Sequence, residues 1–141
     1  TGSNLSGYKV EDGLVGTNLG GGFYFDLENG HTQIYVTGTS GTYQPNFRVS
    51  GSQSLGSLTS EGSVITCTLI VYCSNSAHYL NTSAVQIDSD SGSTLTIRNI
   101  GGTAISSGNS GVYDVYTFTI MRTNAPPSTP SYQVFVQATN T

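Results

Sequence analysis

VITCTLIVYC, residues Val64–Cys73, is the longest apolar run in the chain. Read with a period of two, Ile65, Cys67, Leu69, Val71 and Cys73 fall on one side, and all are apolar. Val64, Thr66, Thr68, Ile70 and Tyr72 on the other side are mixed. Such a run is a β-strand with one face committed to a core and the second half committed. Upstream, Phe23–Leu27 alternates with Phe23, Phe25 and Leu27 on one face. Glu28-Asn29-Gly30 follows, and Asn-Gly between alternating segments predicts a hairpin. Its return strand is His31–Thr37, with Ile34 and Val36 inward. Gly38–Asn46 reads as a loop and Phe47–Ser50 as a short strand with Phe47 and Val49 inward. Gly51–Gly62 reads as a polar loop anchored by Leu55 and Leu58.

Downstream, Ser74–Ser83 is a polar loop. Ala84–Asp88 and Ser93–Ile100 predict a second hairpin around Ser89–Gly92, with Leu95 and Ile97 inward. Gly101–Gly111 is a Gly/Ser loop. Val112–Met121 is a long strand with Tyr116, Phe118 and Ile120 on one face and Tyr113 and Val115 on the other. Three prolines keep Thr123–Ser131 from being a central strand. Tyr132–Ala138 alternates again, with Tyr132, Val134, Val136 and Ala138 inward. No segment carries a helical period, and none repeats. Short strands with a turn signal every ~8–12 residues predict an all-β domain, an antiparallel β-sandwich of jelly-roll-like type with about eight to ten short strands. Residues 1–22, rich in Gly, Ser and Asn, are expected to be a flexible or linking arm, and 23–141 a single sandwich domain. Leu14, Val15 and Leu19 leave room in that arm for a short strand or for packing on a neighbour.

Composition narrows the function. Of 141 residues only 9% are charged, against roughly 25% in ordinary soluble domains. Ser and Thr fill roughly a quarter of the chain, so the surface is hydroxyl and amide. Strand edges are usually guarded by Lys; this chain has one, Lys9, so its edges must be covered, closed or paired with other chains. The net charge is −4, and Lys9, Arg48, Arg98 and Arg122 are scattered. Nucleic acid and anionic membrane surfaces are therefore poor partners. No run approaches the ~18–20 apolar residues of a membrane helix. No signal peptide is recognisable, which leaves the compartment open, since a leader can be removed. Cys67 and Cys73 lie six residues apart on one predicted strand face, about 20 Å at ~3.3 Å per residue. A disulfide cannot span that, and two buried free thiols suit folding in a reducing cytosol.

Motifs for chemistry are sparse. DSDSG at Asp88–Gly92 suggests a calcium loop, but its Gly is at position five, Asn99 stands at position twelve, and strands flank it, so a polar turn is the better reading. Cys67, Cys73 and His78 match no zinc spacing. His31 follows a turn and reads as a solvated strand end. There is no G-x-S-x-G elbow, and neither His is tied to an acid. A glycosidase carboxylate pair lacks the aromatic cleft that usually accompanies it, Trp being absent. Two Asn-x-Ser/Thr matches, at Asn4 and Asn81, are expected by chance in such a composition. No enzyme, cofactor or metal is expected.

Two functional sets remain. Ile70, Tyr72, Tyr113 and Val115 are surplus to a one-faced core and are expected to form an oligomer interface. Tyr43, Asn75, His78, Tyr79, Asp88 and Asp90 are expected in loops able to stack on and hydrogen-bond a ligand such as a cell-surface glycan. The expected function is a structural or attachment protein of a virus or phage particle, a capsid decoration subunit or fibre-head domain. Such a subunit would form a homo-oligomer, a trimer among the candidate states, folded in the host cytosol and shown on the virion surface beside a capsid or fibre protein. The alternatives are an extracellular carbohydrate-binding module or lectin, weakened by the lack of Trp, and a pilin or surface-layer subunit, in which a disulfide would be expected.

Overall fold

The computed structural model describes residues 2–5, 8–11, 14–16, 19–35, 41–91 and 94–139. Among them the chain forms eleven strands: β1 (Gly2–Leu5), β2 (Tyr8–Glu11), β3 (Leu14–Gly16), β4 (Gly21–Asp26), β5 (Thr32–Tyr35), β6 (Tyr43–Arg48), β7 (Val64–Cys73), β8 (Gln86–Ile87), β9 (Leu95–Asn99), β10 (Val112–Arg122) and β11 (Tyr132–Ala138). Two short 3-10 turns, Leu27–Asn29 and Thr82–Ala84, are the helical elements. β1 and β2 pair only with each other. The rest builds a six-stranded sheet in the order β3-β5-β7-β10-β11-β9 and a three-stranded sheet in the order β4-β6-β8.

From β3 to β9 successive strands alternate between the two sheets. Each return lays the new strand parallel to its predecessor: β3, β5 and β7 in the large sheet, β4, β6 and β8 in the small one. The chain is thus wound as a coil, with the other sheet serving as the crossover that parallel pairing requires. β9 continues the sense of this winding but does not lie beside β7. The antiparallel β10–β11 hairpin fills the two places between them, and β10 alone of the six runs against the others.

Core phases follow the alternation in the long strands. Cys67, Leu69, Val71 and Cys73 of β7 are buried, as are Tyr116, Phe118 and Ile120 of β10 and Tyr132, Val134 and Val136 of β11. Both cysteines are free thiols, as their shared strand face requires. The small sheet answers with Phe25, Tyr43, Phe47 and Ile87. Phe47 joins the two sheets, its ring 5.0 Å from Phe25 within its own sheet and 5.0 Å from Phe118 of the large sheet.

The pairing differs from expectation in several places. The sheets are not antiparallel: five of the eight strand pairings are parallel and three antiparallel. Neither predicted hairpin exists, because β4 and β5 belong to different sheets, as do β8 and β9. Asn29-Gly30 ends a 3-10 turn, with Gly30 at φ 110°, a conformation glycine favours, as the chain crosses over. In the return strand Gln33 and Tyr35 point inward and Ile34 does not; Val36 lies outside the described residues. Gln33 is fully buried; its Nε2 donates to the Asp26 and Gly30 carbonyls (3.0 and 3.4 Å) at a crossover that no hairpin ladder serves, while its Oε1 has no partner among the described residues. The loop expected over Gly38–Asn46 already contains β6 from Tyr43 onward. Leu58 is exposed where it was expected to anchor its loop, whereas Leu55 is buried. The body also reaches back beyond Phe23: β3 joins the large sheet and Leu19 is buried in the core.

At the end where β7 begins, the strandless segment 50–63 is fastened by two charged side chains. Arg122, 2% exposed, donates to the carbonyls of Thr59 (2.6 Å), Asn124 (2.9 Å), Gly56 (3.0 Å) and Ser128 (3.3 Å). The Asp88 carboxylate accepts the N–H groups of Leu55 (2.7 Å) and Gly56 (2.9 Å). Buried carbonyls stripped of a cationic donor keep their desolvation cost. Arg122→Met is therefore expected to lower stability by about 3 kcal/mol or more, read as a shift of the urea midpoint.

Candidate functional site: the outer face of the six-stranded sheet

Residues paired in register point to the same side of a sheet. Val15, Ile34, Ile70 and Val115 are successive register partners across β3, β5, β7 and β10, and all lie on the outer face. One row further along, Tyr72 and Tyr113 are partners, their rings 5.5 Å apart and edge-on at 70°. Toward the other end the outer face turns to hydroxyls, Thr68 opposite Thr117 and Thr66 opposite Thr119. The four residues predicted as an interface, Ile70, Tyr72, Tyr113 and Val115, are thus brought together as one block. The sheet extends the block by Ile34 and Val15. Sequence reading placed Ile34 inward and Val15 in the arm, so neither could be assigned to this face from periodicity alone.

Exposure differs within the band. Val15 is 61% and Tyr113 49% exposed. Ile34, Ile70, Tyr72 and Val115 are half-buried against their neighbours. Among the described residues, neither the four-strand row nor the adjoining tyrosine pair carries a charged side chain.

The six predicted ligand-loop residues do not gather. Asn75, His78 and Tyr79 lie at the end where β7 finishes, while Asp88 and Asp90 follow β8 at the opposite end. Tyr43 is fully buried in β6, its hydroxyl donating to that of Tyr116 at 3.5 Å, and its backbone bonded to Tyr79 and Asn81. It supports the loop from beneath and presents nothing to solvent. The others are engaged locally: the Asn75 side chain accepts the Ala77 N–H, Asp90 accepts the Thr94 hydroxyl, and Asp88 fastens Leu55 and Gly56. Tyr79 lines an open groove of about 370 Å³ with Thr82 and Asn99. His78 Nδ1 is 3.2 Å from Ser74 Oγ, and no carboxylate orients that imidazole among the described residues.

Sequence reading missed a buried polar cluster beneath this loop. Asp114, wholly buried, accepts the Asn109 N–H (3.2 and 3.3 Å). The Cys73 thiol donates to the Asn75 and His78 carbonyls. Gly108 closes the cluster; a Cβ there would lie 2.4 Å from the His78 carbonyl and 2.5 Å from Cys73 Sγ, so no side chain fits. Burial pushes the Asp114 carboxyl up and the Tyr116 hydroxyl up to about 12; Tyr43 and Cys73 are raised for the same reason. The signal was available: Asp114 falls two residues before Tyr116 on the apolar side of a strong alternation.

Comparison with family models, with curated protein sequences and with solved structures returned no match.

A carboxyl whose folded pKa lies above its unfolded value binds its proton more tightly in the native state. Stability therefore rises as pH falls through the folded value of Asp114 toward the unfolded value near 3.8. Asp114→Asn removes this term. Its stability relative to the wild type is expected to be highest at neutral pH and to decline on acidification, measured as urea midpoints across that window. A pH-independent difference would contradict the reading.

Proposed function

We propose that this chain is a non-enzymatic structural subunit of a virus or phage particle, a capsid decoration or fibre-head protein, that self-associates through the outer face of its six-stranded sheet. The observation that carries the reading is the register-aligned apolar band Val15–Ile34–Ile70–Val115 with the adjoining Tyr72–Tyr113 pair. Its architecture is read as a two-layer sandwich, the small sheet covering the core side of the large one through Phe47 and Phe118. The charge-poor surface favours packing against copies of itself without like-charge repulsion. Two free buried thiols support folding in a reducing compartment and weigh against a secreted pilin.

The wild type is expected to sediment as an oligomer whose mass grows to a plateau with concentration, three chains being the fibre-head expectation. Val115→Asp sets a carboxylate in the middle of the band on a half-buried outward position. It is expected to weaken association at least about tenfold, while changing the stability of the dilute chain by ~1 kcal/mol or less. A wild type that stays monomeric at every concentration, or a variant that associates as well as the wild type, would overturn the assignment of this face.

A further inference from the structure

The small sheet turns a different surface outward. Tyr24 of β4, Asn46 of β6 and Gln86 of β8 are level in one row, an aromatic ring beside two carboxamides at strand spacing. On one side of this row stand Asp26 and Arg48, on the other Gly22 and Gln44. The Arg48 guanidinium is held by both Asp26 carboxylate oxygens (2.6 and 3.3 Å), and its Cζ lies 3.5 Å from the centre of the Tyr24 ring. One face of the ring is thereby covered and fixed by a cation that is itself fixed. Tyr24 nonetheless remains 53% exposed.

Beside the ring, Gly22 contributes no side chain. A recess of about 220 Å³ opens there, lined by Gly22, Phe23, Tyr24, Asn46 and Gln86. Neither Arg48 nor Asp26 lines it, so it adjoins the part of Tyr24 that the guanidinium leaves free. Asn46 is pinned by reciprocal bonds with Ser89, its Nδ2 donating to the hydroxyl and its Oδ1 accepting the N–H, both at 2.9 Å. Asn46 is only 8% exposed, and the part that lines the recess keeps one amide hydrogen and one lone pair outside these bonds. Gln86 and Gln44 have no side-chain hydrogen bond among the described residues, so their amides are free to donate and accept.

We infer that this recess is a binding site for a neutral saccharide ring, which stacks its C–H face on Tyr24 and hydrogen-bonds its equatorial hydroxyls to the Asn46 and Gln86 amides. A pyranose presents an apolar face and a rim of groups that both donate and accept, and a fixed aromatic beside carboxamides complements both. The ring is immobilised before binding, so little side-chain entropy is lost when the ligand arrives. The two charges of this face neutralise each other and the chain carries net charge −4, which disfavours an acidic sugar. This site is independent of the self-association reading, since the two use opposite outer faces. It also differs from the glycan-binding loops expected from sequence, because Tyr24, Asn46 and Gln86 are strand residues.

The test is amide chemical-shift titration of the isotope-labelled chain, separately with glucose, galactose, mannose, N-acetylglucosamine and N-acetylneuraminic acid, each to tens of millimolar. Saturable shifts at Gly22, Tyr24, Asn46 and Gln86 are expected with at least one neutral sugar and not with N-acetylneuraminic acid. Gly22 does not require a positive φ, and a Cβ there meets only the end of Gln44 at 3.5 Å, so Gly22→Leu fills the recess without entering the core. Gly22→Leu and Gln86→Ala, with spectra otherwise unchanged, are expected to weaken binding about tenfold or more, whereas Tyr24→Phe retains it. No saturable shift with any neutral sugar, shifts confined to other surfaces, or full binding by Gly22→Leu would overturn the site.

Discussion

The β7–β10 ladder is the constraint on which the rest of the molecule depends. Ten register pairs, from Val112 opposite Cys73 to Met121 opposite Val64, lock the two longest strands together at the centre of the large sheet. Their inward residues meet the aromatic residues of the small sheet, and a buried Phe or Leu contributes roughly 1.5–3 kcal/mol through area removed from water. Because side chains alternate strictly, fixing the inner row also fixes the outer one. Ile70 cannot leave Val115, nor Tyr72 leave Tyr113, without Leu69 and Tyr116 leaving the core. The apolar band is thus held in register by the same contacts that stabilise the fold.

Several of the chain's few charges serve its own structure. Arg122 and Asp88 hold the strandless segment 50–63 by its own backbone groups, and Arg48 with Asp26 fixes a tyrosine on the small sheet. Asp114 sits where the loops at the other end converge on the core. Beyond the Asp26–Arg48 pair and Arg98, what the two outer faces present is apolar, hydroxyl and amide. The large sheet thereby presents an apolar band, and the small sheet a neutral recess beside a fixed ring.

Much of the strand content was legible because period-two patterns in Val64–Cys73, Val112–Met121 and Tyr132–Ala138 are long enough to assign their faces. The outward set Ile70, Tyr72, Tyr113 and Val115 followed directly from those phases. Pairing was not legible. Alternation shows which way a side chain points and says nothing of which strand lies alongside, so Asn29-Gly30 read as a hairpin although it closes a crossover. Short strands failed in phase for a related reason: Gln33 is inward and its Nε2 bonds the backbone of that crossover, which no hydrophobicity pattern records. Tyr43 looked like a loop aromatic because Gly and Ser precede it, yet its ring fills the space over Tyr116. The recess at Tyr24 was invisible because its row is assembled from three strands far apart in sequence.

Tyr113 and Tyr24 provide a matched pair for testing the central claim, since both are about half exposed, at 49% and 53%, on different sheets. Hydroxyl-radical footprinting across a range of protein concentrations, without added sugar, compares their oxidation within one molecule. If the band on the large sheet is the surface by which copies of this chain associate, protection of Tyr113 grows with concentration while Tyr24 stays reactive. If Tyr113 keeps pace with Tyr24 at every concentration, the band is not a self-association surface and the structural-subunit reading fails with it.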